Sequence, residues 1–509
     1  MSAASSISEA WLQQARRAYQ DGEITNAIRL FRLAAEAPGA SAAVFLELAE
    51  VFWANFDFAD GLATLGMASD RAPSDPAPAL LAAKRLFTLG RWAEAARWVE
   101  LALARRPGDH TFCRMLAELR DREGKLEEAA AWAREALAAN PLDAQAARAL
   151  AHALRRSGGV EEAEEILTRH LFEHPGPDDW RLQYELAVCR DRRGDYCGAM
   201  GALEKAKAQL RPVAEPLLGQ WRLRADRRRT FARALDRATL ERWQRASASL
   251  PRAVPLAILA GHPRSGTTLL EQLLASHPGV LTTDETGILR TQFLEPIVFQ
   301  ASSTEDAWRE VDEFDLEQLA AGREVFFRAT AAHLGERLDG RLLIEKDPLA
   351  TQDLGFILRL LPEARVIFPL RDPRDVCVSF FFTLVPLNAD SAPALDLGST
   401  CAALALTLEL WRHWREHIPQ RWTEVRYEQL VRQPEQPLRE LAQALDLSWE
   451  PSMLKPATPA TRGVRSPTYA DVAQPLYSRA IGRWRHYASW LEPHWAPLQE
   501  YLQEFGYTS

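Results

Sequence analysis

The stretch GHPRSGTT, Gly261 to Thr268, sets two glycines, one arginine and three hydroxyls between an apolar run, LAILA, and an amphipathic one, LLEQLLASHP. Strand, glycine-containing loop and helix is a layout that cradles an anion. Backbone N–H groups at the helix start point at the charge, and the helix dipole favours it. Gly261-x4-Gly266 followed by Thr267 and Thr268 has the spacing of a P-loop, but Thr267 stands where a P-loop NTPase carries the lysine that contacts the terminal phosphates of ATP. An ordinary NTPase is therefore disfavoured. The loop offers Arg264 instead, a planar fork suited to a sulfate or phosphate group, with Ser265 and the two threonines as hydroxyls and Gly266 allowing close approach.

GHPRSGTTLLEQLLASHP resembles the 5′-phosphosulfate loop of the sulfotransferases that use 3′-phosphoadenosine 5′-phosphosulfate, and its arginine form is similar to the protein-tyrosine sulfotransferase branch. Further segments stand in the order this resemblance requires: RLLIEKDP with Lys346, ARVIFPLRDPRDVCVSFFF with Arg371 and Ser379, and WTEVRYEQLV with Tyr427. The resemblance implies that Arg371 and Ser379, eight residues apart, clamp the 3′-phosphate. A second dianion needs its own cation and donors at a second strand-to-helix turn. The same resemblance gives Lys346 the sulfuryl oxygens and places Tyr427 among the cofactor contacts. In YSRAIGRWRHYASWLEP it assigns Ser478, Arg483 and Arg485 to a segment closing over the bridging oxygen and the 3′-phosphate.

Sulfuryl transfer to a hydroxyl also needs a base. Glu285, in VLTTDETGIL, lies 21 residues after Arg264 and just beyond a predicted strand, which brings it to the same carboxyl edge of a sheet. The resemblance places a catalytic glutamate there. Asp284 is the rival, and an N-cap carboxylate for a helix beginning near Gly287 is the purely structural alternative. His262 and His277 are weaker candidates. No metal is called for, since Arg264, Lys346 and the loop amides supply positive charge. A nucleotide kinase lacks its lysine here, and a catalytically silent scaffold would not need this residue set.

These residues require an α/β domain with a mostly parallel sheet, over 251–509. Ahead of it, Ala27, Gly61, Ala95, Ala129 and Ala163 recur every 34 residues, as do Pro73, Pro107, Pro141 and Pro175. The period resembles the tetratricopeptide repeat, with a looser sixth unit near Gly194, and predicts an all-α solenoid over 1–212. Such arrays leave a concave face that commonly binds peptide or protein. Between the two, residues 213–250 hold nine arginines against four acids and read as one long helix or two. Arg227, Arg228 and Arg229 in that bridge either attract an anion or form a solvated face paired with acidic neighbours.

A net charge of −8 argues against a nucleic-acid partner. With no apolar run near 18 residues and no leader pattern at Met1, the expected location is the cytoplasm. Five cysteines without CxxC spacing indicate neither a disulfide framework nor a zinc site. The acceptor stays open among peptide tyrosine, sugar, lipid and small metabolite, as does the oligomeric state.

Overall fold

A computed structural model describes residues 3–250, 254–299, 303–418, 421–457, 463 and 476–507. Its first twelve helices form six helix-turn-helix pairs, from Ala3–Gln20 with Ile24–Glu36 to Asp179–Arg192 with Tyr196–Ala234. The reason for the 34-residue period is visible in the second helix of each pair. Ala27, Gly61, Ala95, Ala129, Ala163 and Ala199 each sit three residues into that helix and are buried, so the partner helix packs directly on the backbone. At Gly61 a Cβ would stand 3.0 Å from the Trp53 ring. The tight turns need a left-handed residue, met by Gly22, Gly90, Gly124 and Gly158. One repeat departs: Phe56 occupies the position 34 residues after Gly22 and still takes φ 64°.

The chain divides into two compact units, one of residues 1–166 with 331–336 and one of 167–330 with 337–509. The second is built on a five-stranded sheet of order β2-β3-β1-β4-β5. The strands are β1 (Leu256–Leu259), β2 (Val280–Thr282), β3 (Leu342–Lys346), β4 (Arg365–Leu370) and β5 (Trp422–Arg426). Every pairing is parallel. Strands covered on both faces read as near-continuous apolar runs, and β1, β2 and β3 are buried at every residue, with Glu345 and Lys346 the charged exceptions at the end of β3. From β1 the chain moves to β2 at one edge, and from β4, the neighbour of β1, it moves to β5 at the other, so the onward connections of two adjacent strands run opposite ways. Ligands of open parallel sheets collect at that switch point, outside the carboxyl ends of the strands.

The basic bridge is one helix with a short successor. Residues 213–234 continue the helix begun at Tyr196, through Pro212 and Pro216, and Arg237–Ala246 follows. Arg222, Arg233, Arg237, Arg242 and Arg245 are exposed, whereas Arg224, Arg227, Arg228 and Arg229 are at least half-buried and tied to partners. Arg228 is buried and forks onto Asp353 at 2.9 and 3.0 Å while also donating to Asp390 at 2.9 Å. Arg224 and Arg290 share Asp390, Arg229 pairs with Glu409, and Arg227 donates to the Phe299 carbonyl. Lys207 is buried too, donating to the Tyr184 hydroxyl and to the carbonyls of Phe381 and Ala394. Its burial pushes the ammonium well below the usual lysine range, with Asp396 opposing. Among the described residues, no helix is long and apolar enough to cross a membrane.

Replacing one partner of a buried ion pair strands the other's charge, at about 3–5 kcal/mol. Arg228→Leu should therefore lower the unfolding free energy of the full chain by roughly that amount. The measurement is denaturant unfolding at neutral pH. A loss within the range of an exposed pair, about 0–1 kcal/mol, would show that Arg228 is dispensable to the fold.

Candidate functional site

Each strand delivers one candidate residue to the carboxyl edge of the sheet. After β1 the chain enters the Gly261–Thr268 loop, and after β2 it reaches Asp284 and Glu285. β3 ends on Lys346, β4 is followed by Arg371 and β5 by Tyr427.

The loop is fixed from both sides. Thr351 Oγ1 receives the Gly261 N–H at 2.7 Å and donates back to the Gly261 carbonyl at 2.9 Å. Arg264 takes φ 75°, and Gly266 caps the helix Thr267–Ala275 at φ 107°. A side chain at Gly266 would have its Cβ 2.7 Å from the Tyr427 ring, so the ring can press on the loop only because that residue is glycine. Arg371 stacks over the same ring, 4.5 Å from its centroid, and donates to the Arg264 carbonyl at 2.9 Å. Arg264 Nε in turn donates to Ser379 Oγ at 2.9 Å. Arg264, Ser265, Gly266, Thr267, Thr268, Arg371, Ser379 and Tyr427 thus form one contiguous cradle in which both arginines are bound edge to edge with the loop. Arg371 Nε is buried without a hydrogen-bond partner among the described residues, which fits an anionic ligand's oxygen.

A second cluster surrounds Lys346, whose side chain is fully buried. Its Nζ lies 2.6 Å from Glu285 Oε1, 3.0 Å from Asp284 Oδ1 and 3.3 Å from Glu271 Oε2. Burial alone would push the lysine down, but Glu271, Glu285 and Asp284 hold it well above its ordinary value, and it stays charged. Asp284 and Glu285 both take left-handed backbone, φ 53° and 60°. Two consecutive residues of this kind are strained and must be held by their surroundings. Three contacts hold them: Glu271 Oε1 accepts the Asp284 N–H at 3.0 Å, the Lys346 carbonyl accepts the Glu285 N–H at 3.0 Å, and Thr283 Oγ1 accepts the Lys346 N–H at 3.1 Å. Glu285 is the most accessible of the three acids, with about a third of its side chain exposed.

The C-terminal candidates are placed differently from one another. Arg483 meets Asp191, with Nε 3.2 Å from Oδ1 and a terminal nitrogen 3.1 Å from Oδ2. Arg485 is exposed and lies over the Trp484 ring, and Ser478 is exposed, its carbonyl accepting from Ile481. His262 is buried against Phe380, and burial pushes it down to about 4, while His277 bonds the Ser448 carbonyl at the helix end.

Sequence reasoning gives no functional role to three residues, Glu271, Asp375 and Asp191, Asp375 entering it only as a structural salt-bridge alternative for Arg371. Glu271 had a signal, a lone acid on an otherwise apolar helix, LLEQLL. Asp375 accepts the N–H groups of Gly482 and Trp484 at 2.6 and 2.9 Å, and nothing in local sequence distinguishes it from a helix N-terminal acid.

Burial pushes the Glu271 carboxyl from 4.5 up to about 8; Lys346 opposes this, and Asp284 and Glu285 add to it. A carboxyl held higher in the folded state than in the unfolded chain favours folding at low pH, and that contribution is lost as pH rises toward the folded value. Glu271→Gln has no such proton to lose. Its melting temperature, compared with that of the unaltered chain at each pH, should improve steadily between pH 4.5 and about 8. A difference that stays flat across that window would mean Glu271 is ionised throughout.

Residues 255–451 match the Sulfotransferase family, and 46–110, 80–147, 114–176 and 148–214 each match the Tetratricopeptide repeat. The protein-tyrosine sulfotransferase of Drosophila melanogaster is 28% identical over 259 residues, 46% of this chain and 48% of that protein. A Caenorhabditis briggsae protein, provisionally given the same enzyme name, is 31% identical over 204 residues, 39% of this chain and 68% of its own. An uncharacterized protein of Aquifex aeolicus (strain VF5) is 29% identical over 317 residues, 61% of this chain and 40% of that protein. The chain spans about half the length of the curated relatives it matches.

Proposed function

From the premise that this chain belongs to the sulfotransferase family, we propose that it transfers the sulfuryl group of 3′-phosphoadenosine 5′-phosphosulfate to a hydroxyl acceptor, with Glu285 as the base. The observation that carries the reading is the ion pair of Glu285 and Asp284 with a buried Lys346 beside a loop suited to anions. When bound, the donor supplies an electrophilic sulfur and a phosphate leaving group.

The protein's part is positioning and charge. The loop amides, Arg264 and the threonines would hold the 5′ end at the start of the helix Thr267–Ala275. Arg371, with its buried and unpartnered Nε, and Ser379 would take the 3′-phosphate. Tyr427 keeps the Arg371 guanidinium flat against the loop. Glu285 is aimed by its own backbone N–H on the Lys346 carbonyl and by the ion pair to Nζ, so its carboxylate is fixed before an acceptor arrives. An acceptor hydroxyl losing its proton to Glu285 becomes the nucleophile as the bond from sulfur to the leaving phosphate oxygen breaks. Lys346 lies within reach of the same carboxylate and would balance the negative charge that develops on the transferring oxygens. The repeats would offer their concave face to a protein or peptide, and the family name of several relatives makes peptide tyrosine the first acceptor to try.

Glu285→Gln should lower turnover by about 10²–10⁴ while leaving the affinity for 3′-phosphoadenosine 5′-phosphate unchanged by calorimetry. Asp284→Asn is the companion variant. Turnover is followed with labelled donor and a host extract, by mass spectrometry of sulfated products. Near-normal turnover in Glu285→Gln with a collapse in Asp284→Asn would move the base to Asp284, and failure of the bisphosphate to bind the unaltered protein would defeat the donor assignment.

A further inference from the structure

The segment from Tyr477 to Tyr487 is tethered at two places. On the side of the cradle, Arg371 donates to the Ala480 carbonyl at 2.7 Å, and Asp375, in the first turn of the helix that follows Arg371, accepts from Gly482 and Trp484. Gly482 takes φ 75° between those contacts, so the backbone turns there. Asp191 provides the other tether. It sits in the last turn of the helix Asp179–Arg192, in the sixth helical pair, and engages Arg483 through both carboxylate oxygens and the Tyr487 hydroxyl through Oδ1.

The surroundings make this a fixed joint rather than a loose surface pair. The Arg483 guanidinium lies over the Phe382 ring at 4.2 Å, and Tyr487 is buried. The next pair member also contributes: Tyr196 stacks on His486 with ring centroids 4.1 Å apart and planes within 14°. Burial, together with Asp191, pushes the Tyr487 hydroxyl far up, so it remains a donor. Arg483 is thus oriented by an acid outside the sheet domain's own motifs, three residues from the carbonyl that Arg371 holds.

We propose that Asp191 is a positioning residue for the donor site, acting through Arg483 and Tyr487 to keep the Ala480–Trp484 segment against Arg371. The proposal rests on the reading of Arg371 as a donor-phosphate contact. A bidentate pair spread over two elements restricts a closing segment without making a contact to the ligand itself, and segments of this kind govern how long a ligand stays. The geometry also separates two roles for Arg483. If Arg483 bound the donor directly, Asp191 would compete for it, and removing the acid would tighten binding. If Arg483 serves as the anchor, removing the acid loosens the segment and weakens binding.

The test uses the full chain, with 3′-phosphoadenosine 5′-phosphate as the probe, measured by calorimetry and by its dissociation rate. Asp191→Ala should weaken binding roughly three- to tenfold, through faster dissociation, and raise the KM for the donor by a similar factor. Arg483→Ala should do the same, and the double variant should be no weaker than either single one. Tighter or unchanged binding in Asp191→Ala overturns the proposal. Arg371→Ala separates this from the underlying reading: if it binds the probe normally, the donor assignment of Arg371 fails, and if it alone loses binding while Asp191→Ala keeps it, only the positioning role fails. Asp191→Glu, which keeps the charge, should recover part of the lost affinity, and an equal loss in Asp191→Glu and Asp191→Ala would also count against the proposal.

Discussion

A lysine ammonium with no access to water has to be neutralised on the spot, and the requirement at Lys346 organises this site. The strand β3 carries it to the end of the sheet with its side chain fully enclosed. Three carboxylates answer it, from two different elements: Glu271 on the helix after β1, and Asp284 and Glu285 on the turn after β2. Bringing two adjacent acids onto one ammonium forces both into left-handed backbone. That strain is offset only because Glu271 and the end of β3 hold the two N–H groups. One buried cation thus dictates a turn conformation, an acid inside an apolar helix and the direction of Glu285. With three acids to one lysine, the cluster would carry a net charge of −2 if all ionised, and the upward displacement of Glu271 relieves that excess.

In the cradle beside it, Arg264 donates to a serine hydroxyl and Arg371 to two backbone carbonyls, with the Asp375 carboxyl close enough to Arg371 to feel its charge. Hydroxyl and carbonyl acceptors orient a guanidinium without cancelling its charge. Contrast Arg228, also buried, which two aspartates neutralise, and which is accordingly a structural bolt. The net charge of −8 says little about either site, because the sign of a local field depends on which arginines are paired.

How much of this could be read in the sequence divides along the same physical line. Short-range features were legible. Ala27 to Ala163 mark helix crossings by their spacing alone, the loop at Gly261–Thr268 announces its strand-loop-helix geometry, and Arg371, Lys346 and Tyr427 each follow an apolar strand that had to end at one edge of the sheet. What could not be read is set by pairing over long sequence separations. Pairing of the bridge arginines with acidic neighbours is legible, but not which acids or that Arg228 is buried, because Asp353, Asp390 and Glu409 lie more than a hundred residues away. The resemblance makes Arg483 a cofactor contact, but the sequence does not show that its side chain is held by Asp191, 292 residues earlier. The single sheet was expected to be mostly parallel, and each of its pairings is so.

The helix Tyr196–Ala234 explains why repeat and sheet sequences need not be separable at the point where composition changes. Its first turns belong to a helical pair, with Ala199 buried at the crossing. Its middle buries Lys207 on carbonyls of the helix Pro373–Phe381 and of the Ala392–Leu395 turn, and its last turns drive Arg224 and Arg228 onto Asp390 and Asp353. A lysine and an arginine buried at separate points along one continuous rod cannot both be satisfied if the rod slides or rotates, because each has partners at fixed positions. The charges therefore act as register marks, and a rigid helix seated by them is what allows the preceding turn, with Asp191, to stand at a defined place beside Arg483.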